Sequence, residues 1–169
     1  MRFDVWFLLL FFGVSFARAE VSYEHVSKAV QINVVGKIDS QTLVSVRLAL
    51  QKAARENPSR IFVGLNSEGG DVVSAMQIGR LIRAAHAWII VPGDSVCASA
   101  CVLIAAGGTT RSFVGPVIIH RPYGSQNSNQ SLSDSQESFD RLGDVVKSYL
   151  REMNVSTTLW DRMVAISPS

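Results

Sequence analysis

Short apolar runs alternate with segments of helical periodicity along most of the chain. The runs that predict buried strands are 29–38, 60–65 and 87–91. Between them, apolar residues recur at helical spacing over 40–56 and 72–85, which is typical of helices that pack by one face. A small, apolar helix is predicted over 99–106 and ends at a glycine pair. Strands alternating with helices in this way predict an α/β domain with a mainly parallel sheet and right-handed crossovers.

The second half of the chain has a weaker pattern. Two short strands are predicted at 111–114 and 117–120, and a polar loop rich in Ser, Asn and Gln is predicted over 124–135. A long surface helix is predicted over 136–153 and a shorter helix over 157–166. Since the sequence shows no internal repeat, these elements are expected to complete one domain.

The amino-terminal residues differ from the rest of the chain. Arg2 precedes an apolar run, and Ala17-Arg18-Ala19 supplies a small-x-small cleavage site. This pattern is typical of a secretory signal peptide, so we expect a signal peptide at 1–19 and one globular domain at 20–169. The alternative is an uncleaved N-terminal anchor, although the run is short for a span of about 20 residues. We therefore expect the protein in the periplasm or outside the cell.

Composition and charge exclude several partners. With 169 residues, 47% of them hydrophobic, the chain can bury a substantial core. A net charge of +2 without a basic run gives no sign of nucleic-acid binding. The histidines are His25, His86 and His120, and with only two cysteines we expect no zinc site. In an oxidising compartment Cys97 and Cys101 can bridge if the backbone brings their Cα atoms within about 4.4–6.8 Å.

Three local features supply groups that acyl transfer needs. Gly69-Gly70 lies between a predicted strand and a helix, where backbone amides can hold an oxyanion, although such a pair is more often only a turn. Ser99 lies between small residues at a helix start, beside the Ala100 amide, and a helix cap is its alternative role. His120 ends an apolar run, where it can act as a general base or lie as an ordinary histidine at a strand end.

The order of these features resembles the proteolytic subunit of the Clp protease, in the ClpP/crotonase superfamily. The matching segments are Val35-Gly36-Lys37-Ile38, Leu65-Asn66-Ser67-Glu68-Gly69-Gly70-Asp71, Cys97-Ala98-Ser99-Ala100 and Ile118-Ile119-His120-Arg121-Pro122. They follow the family's order with near-family spacing, and the resemblance covers residues 30 to 166. The exported start and the Cys-x-Ser-x-Cys run resemble, more narrowly, predicted periplasmic members of the superfamily.

The resemblance implies a ClpP/crotonase-like β-α-β superhelical fold and a serine peptidase that acts on peptides or unfolded protein segments. It makes Ser99 the nucleophile and His120 the general base. Gly69 and Ala100 then donate backbone N–H groups to the oxyanion, and Gly70 shapes the turn. It implies no metal or organic cofactor. The segment after His120 corresponds to the region where Clp subunits pack into rings, so a homo-oligomer is a candidate assembly. Outside the cytoplasm no ATP-dependent unfoldase is expected.

The sequence departs from the family at the third member of the triad. The family's acid falls near residues 167–169, where this chain has none, and we expect the closing strand of the fold to be absent. The nearest acid, Asp161, matches a different helical position. A Ser-His dyad, a recruited acid and a shortened, inactive relative therefore stay open. The other candidate functions are a non-catalytic binding or assembly module and an ester or thioester hydrolase.

Overall fold

The computed structural model of the chain describes residues 19–122 and 132–166, and for residues 132 and 133 the backbone alone. Residues 1–18 of the predicted signal peptide, residues 124–131 of the predicted polar loop and residues 167–169 lie outside the described residues. Neither described range contains a helix that is both long and apolar enough to cross a membrane.

The described residues form alternating strands and helices, as the sequence predicts. The strands are β1 (Glu20–Val26), β2 (Ala29–Val35), β3 (Ile61–Asn66), β4 (Trp88–Val91), β5 (Cys97–Ala98), β6 (Thr110–Phe113) and β7 (Val117–Ile118). The helices are α1 (Ser40–Glu56), α2 (Val72–Ala84), α3 (Cys101–Ala106), α4 (Leu132–Glu152) and α5 (Thr158–Ala165). One sheet has the order β1-β2-β3-β4-β6, and β5 and β7 form a second. All pairings are parallel except that of β1 with β2.

Local sequence accounts for the ends of α1. The Asp39 side chain accepts from the Thr42 N–H at 2.8 Å, and the Thr42 hydroxyl accepts from the Asp39 N–H at 3.1 Å. This reciprocal pair is a capping box, which satisfies amides that the first turn leaves without partners. At the other end Asn57 is left-handed, and its N–H donates to the Ala53 carbonyl. The predicted helix is therefore confirmed at both boundaries.

The helix α3 lies inside the core, and all six of its residues are buried. Its C-terminal end packs on α2 with no side chain between the backbones, since a Cβ on Gly107 would lie only 2.6 Å from the Cα of Gly79. Glycine at both positions allows this approach. As a result, the residues just before α3 are attached to a rigid part of the fold.

Polar groups from three other elements hold the carbonyl groups of α3. The Tyr149 hydroxyl donates to the Leu103 carbonyl at 2.6 Å. The guanidinium groups of Arg83 and Arg111 donate to the Ala106 carbonyl at 3.1 and 2.6 Å. Cations at a helix C-terminus also interact favourably with the helix dipole. These contacts fix the position of α3 from α2, β6 and α4.

Three parts of the fold differ from the sequence expectations. The edge strand β1 was not predicted, because its polar residues face solvent and only Val21 and Tyr23 pack against the core. The helix α4 starts at Leu132, so the last residues of the predicted loop 124–135 are helical. The helix α3 begins at Cys101 rather than at Ser99, because the chain turns at Ser99 before entering the helix.

Candidate active site

The short strand β5 is the middle one of three parallel segments. On one side, the Ala98 N–H donates to the Ser67 carbonyl at 2.9 Å, and the Ser67 N–H donates to the Val96 carbonyl at 2.7 Å. On the other side Cys97 pairs with Val117 of β7. The three segments that the sequence analysis singled out, the glycine loop, the serine turn and the histidine segment, therefore lie side by side.

Ser99 follows β5 directly and has a left-handed backbone, with φ of +55°. Its N–H donates to the Ile118 carbonyl at 2.9 Å, and its side chain is half-buried. The N-cap position of α3 belongs to Ala100, and no side chain caps the helix. Within the described part of the chain the Ser99 hydroxyl makes no hydrogen bond. A non-glycine residue held in this conformation costs about 1–3 kcal/mol, and such residues concentrate at functional sites.

A disulfide bond encloses the serine turn. Cys97 and Cys101 are bridged with a Cα–Cα separation of 5.3 Å, within the range that the sequence analysis required. Both residues are fully buried. Cys97 is the first residue of β5 and Cys101 the first residue of α3, so the bridge joins the two elements that flank Ser99.

The glycine pair fits where no other residue would. Gly69 has φ of +105°, and a Cβ placed on it would lie 2.7 Å from the Ser99 Cβ and 3.0 Å from the Ala100 nitrogen. Gly70 has φ of +145°, and a Cβ there would collide with the Ile38 carbonyl. Glycine alone adopts such φ values without strain. The predicted oxyanion loop is therefore in contact with the predicted nucleophile turn.

The backbone amides around Ser99 are not equivalent. Among the described residues, the N–H groups of Ala100 and Gly70 donate to no acceptor. The Gly69 N–H, in contrast, donates to the Ser67 hydroxyl at 3.1 Å, and this hydroxyl donates to the Gly36 carbonyl at 2.6 Å. Ser67 is 2% exposed. Ala100 therefore presents an amide ready for an acceptor, whereas Gly69 would have to give up its bond to Ser67.

His120 lies two residues beyond the last paired position of β7, along the same edge as Ser99 and Ala100. Its Nδ1 atom is 2.9 Å from the Arg121 carbonyl oxygen. A carbonyl oxygen only accepts, so in the neutral ring this contact favours the tautomer with its proton on Nδ1 and its lone pair on Nε2. The Arg121 N–H donates to the Ile166 carbonyl at 3.0 Å, which ties the histidine segment to the end of α5. No hydrogen bond joins His120 to the Ser99 hydroxyl in the structure.

Other ionisable groups have different roles. Asp161, the acid nearest to the family position, pairs with Lys147 at 2.8 Å. His25 lies 3.7 Å from Glu56 at the far end of α1. Within residues 19–122 and 132–166 no group of three His, Cys, Asp or Glu side chains is arranged to hold a metal ion.

Sequence reasoning gave no role to two groups that the structure places in the site. One is the Ser67 hydroxyl, which lies in the motif Leu65-Asn66-Ser67-Glu68-Gly69-Gly70-Asp71. The other is the Arg121 carbonyl, which as a backbone atom has no signature in the sequence. Both act through hydrogen bonds within a few residues, so the Asn-Ser-x-Gly-Gly and His-Arg-Pro patterns were the only available signals.

Comparisons with known proteins agree with this geometry. The sequence matches the Clp protease family over residues 15–161. Two solved structures of the 1510-N membrane-bound stomatin-specific protease align with TM-scores of 0.59 at 23% identity, one a serine-to-alanine variant and one a lysine-to-alanine variant with a substrate peptide. These alignments cover 80% of this chain and 67% and 64% of those chains, so the chain spans about two thirds of their length.

A probable enoyl-CoA hydratase from Mycobacterium tuberculosis aligns with a TM-score of 0.46 at 12% identity, over 54% of this chain and 48% of that one. No curated protein sequence matches the chain significantly. The expected ClpP/crotonase-like fold with a mainly parallel sheet is confirmed. The family match covers most of the sequence, and the chain therefore belongs to the Clp protease family.

Proposed function

We propose that the protein is an exported serine peptidase that cleaves peptides or unfolded protein segments, with Ser99 as nucleophile and His120 as general base. The observation that carries this proposal is the position of β5 between the Ser67 segment and β7. It brings an oxyanion loop, a strained serine and a histidine segment to one edge. An ordinary helix cap would explain neither the left-handed Ser99 nor its contact with Gly69.

In the proposed reaction, Ser99 Oγ attacks the carbonyl carbon of the scissile peptide bond. His120 Nε2 accepts the hydroxyl proton and then gives it to the leaving amine, which leaves an acyl-enzyme on Ser99. Water attacks the ester, with His120 again accepting a proton, and the acid product leaves with Ser99 restored. The reaction requires His120 Nε2 to come within hydrogen-bond distance of the Ser99 hydroxyl, and catalytic hydrogen bonds commonly tighten in the substrate complex.

The oxyanion is held by backbone amides in this scheme. The Ala100 N–H is adjacent to the nucleophile and has no acceptor among the described residues, so it is the first donor. Gly69 is the second donor when its N–H exchanges the Ser67 hydroxyl for the substrate oxygen. Removing one such donor typically costs 10²–10³-fold in rate, so both matter to the reaction.

The Arg121 carbonyl supplies part of what the acid of a triad supplies. It orients the His120 ring and fixes the proton on Nδ1, at a distance of 2.9 Å. A neutral carbonyl stabilises the imidazolium less than a carboxylate does. The proposal therefore holds for a Ser-His dyad of modest rate and equally for a site in which a recruited acid supplies the remaining stabilisation.

Substrate, location and assembly follow from the same proposal. The complex of a structural neighbour with a substrate peptide supports a peptide as substrate. The Cys97–Cys101 bridge supports a compartment where disulfides form, consistent with the signal-peptide pattern. The proposed assembly is a homo-oligomer that works without an ATP-dependent unfoldase.

Labelling with a fluorophosphonate probe tests the proposal. The wild-type protein is expected to be labelled covalently, Ser99→Ala not at all, and His120→Ala about 10²–10⁴-fold more slowly. His25→Ala is the matched control, because it removes a histidine distant from β5, and it should label like the wild type. Equal labelling of the wild type, Ser99→Ala and His120→Ala would contradict the proposal and favour a non-catalytic binding module.

A further inference from the structure

We propose that the Cys97–Cys101 disulfide is a positioning element for Ser99. It holds the nucleophile turn in its left-handed conformation, and peptidase activity depends on its formation. This inference rests on the proposed function, but its conformational part is testable without any turnover.

The bridge restrains the turn geometrically. In an extended strand, residues four apart have Cα atoms separated by about 13 Å. A disulfide requires less than about 7 Å, and the observed separation is 5.3 Å. While the bridge is intact, the segment from Cys97 to Cys101 cannot relax into a continuation of β5. Ser99 is the middle residue of this closed loop.

The other restraints on the turn are noncovalent. Helix α3 has no side-chain cap, so its first turn lacks the contact that usually fixes a helix start. At the turn itself, the Ser99 N–H donates to the Ile118 carbonyl at 2.9 Å and the Val102 N–H to the Ser99 carbonyl at 3.0 Å. The flanking Ala98 N–H donates to the Ser67 carbonyl at 2.9 Å, and the Ala100 carbonyl accepts from the Leu103 N–H at 3.0 Å. A non-glycine residue in this conformation needs its surroundings to hold it there. The bridge adds a covalent restraint to these noncovalent contacts.

Loss of the bridge would affect two catalytic groups together. Ser99 carries the nucleophile, and the next residue, Ala100, carries the first oxyanion donor. If the turn relaxes, both move relative to His120 and to Gly69, which contacts the turn directly. Substrate contacts outside the turn are unchanged, so the effect should fall on kcat rather than on KM.

Because the bridge is buried, it is protected from reduction in the folded protein. Both cysteines are 0% exposed, so a reductant in solution has no direct access to the sulfur atoms in the folded protein. The bond forms by transfer of two electrons and two protons from the two thiols to an external disulfide, such as oxidised glutathione. Once the domain has folded, the bridge is a permanent part of the site.

The kinetic test compares two buried changes near α3. The double variant Cys97→Ala/Cys101→Ala removes the bridge, whereas Ile104→Val removes one methyl group from the same buried helix and leaves the bridge intact. At a temperature where all three proteins are folded, kcat of the double variant should fall about 10–100-fold. Its KM should stay within about two-fold, and Ile104→Val should keep both constants within about two-fold. A double variant with the kcat of Ile104→Val would overturn the proposal.

The conformational test uses amide hydrogen exchange. The N–H groups of Ser99 and Val102 should exchange at least about ten-fold faster in the double variant than in Ile104→Val, while those of β2 and β3 stay equally protected. Unchanged exchange at Ser99 and Val102 would refute the positioning role. A wild type without turnover or labelling would instead refute the proposed function, and the exchange result would then decide the conformational part alone.

Discussion

The backbone of Gly69 packs against the side chain of Ser99, so that a Cβ atom on Gly69 would lie 2.7 Å from the Ser99 Cβ. Real Cβ atoms essentially never approach this closely. The oxyanion loop and the nucleophile turn therefore fit together only with glycine at this position. The contact joins two segments that are far apart in the sequence, and it explains why a change at one should affect the other.

Gly69→Ala is predicted to displace the Ser99 turn. The new Cβ also meets the Ala98 carbonyl at 2.9 Å, and φ of +105° is strained for alanine. We expect fluorophosphonate labelling to slow by about 10²-fold and the free energy of unfolding to fall by about 1–3 kcal/mol. Denaturant unfolding and labelling kinetics measure the two effects.

Gly93→Ala is the matched control for that variant. A Cβ on Gly93 would lie 3.3 Å from a methyl group of Val114, whose exposed side chain can shift. We expect unfolding free energy and labelling close to those of the wild type. If Gly69→Ala also had the unfolding free energy and labelling rate of the wild type, the proposed effect of the contact between the loop and the turn would be refuted.

Ser67→Ala is predicted to destabilise the oxyanion loop. The Ser67 hydroxyl joins the Gly36 carbonyl to the Gly69 N–H, and the residue is 2% exposed. Its removal leaves the buried Gly69 N–H and the part-buried Gly36 carbonyl without this partner, at a cost of about 1–3 kcal/mol in unfolding free energy. Ser59→Ala removes an exposed hydroxyl that also donates to a backbone carbonyl, and it should cost less than about 0.5 kcal/mol. Similar losses in both variants would contradict the role of Ser67.

Tyr149→Phe is predicted to loosen the support of α3. It removes the hydrogen bond to the Leu103 carbonyl inside the core. We expect a loss of about 1–2 kcal/mol and a melting temperature about 3–6 °C lower. Calorimetry at neutral pH measures this, and an unchanged melting temperature would show that the bond contributes nothing.

The same variant gives a pH dependence with a defined sign. Burial raises the pKa of Tyr149 above its ordinary value of 10.0, and this effect outweighs the opposing charge of Arg80. Above pH 10 the unfolded chain has therefore lost a proton that the folded chain retains, so the stabilisation by Tyr149 is complete below pH 10 and declines above it. The stability difference between wild type and Tyr149→Phe should shrink from pH 9 to pH 11. A constant difference would contradict the raised pKa.

The His120 ring is predicted to carry its proton on Nδ1 when it is neutral. The reason is the Arg121 carbonyl, which can only accept a hydrogen bond. Long-range ¹H–¹⁵N NMR spectra distinguish a protonated from an unprotonated ring nitrogen, and His120→Gln identifies the signals by their loss. A ring protonated mainly on Nε2 would exclude His120 as the base in the proposed orientation.

Most of the strands and helices could be predicted from the sequence, but little of the detailed geometry of the candidate site could. Apolar periodicity was enough for the alternation of strands and helices, because burial of one face governs each element. The edge strand β1 was not predicted, because its polar residues face solvent and give no apolar pattern. It is a strand because it pairs with β2. The order of the glycine, serine and histidine motifs was visible because each is local.

The conformation of Ser99 could not be predicted from its neighbours. A serine before an apolar helix is the usual signature of a cap, whereas the left-handed Ser99 bonds to Ile118, packs against Gly69 and lies inside the disulfide loop. The hydrogen bond from the Gly69 N–H to Ser67 depends in the same way on how the loop closes. These features depend on contacts between residues distant in the sequence, so no local sequence pattern predicts them.

The two-residue strand β5 also constrains the order of events during folding. Its partners, Ser67 on one side and β7 on the other, come from distant parts of the chain, so neither pairing is favourable until the long intervening segments have closed into loops. An incompletely folded chain cannot contain the assembled site. The proposed chemistry would therefore become available only once β5 has paired on both sides, and an unfolded chain would lack it.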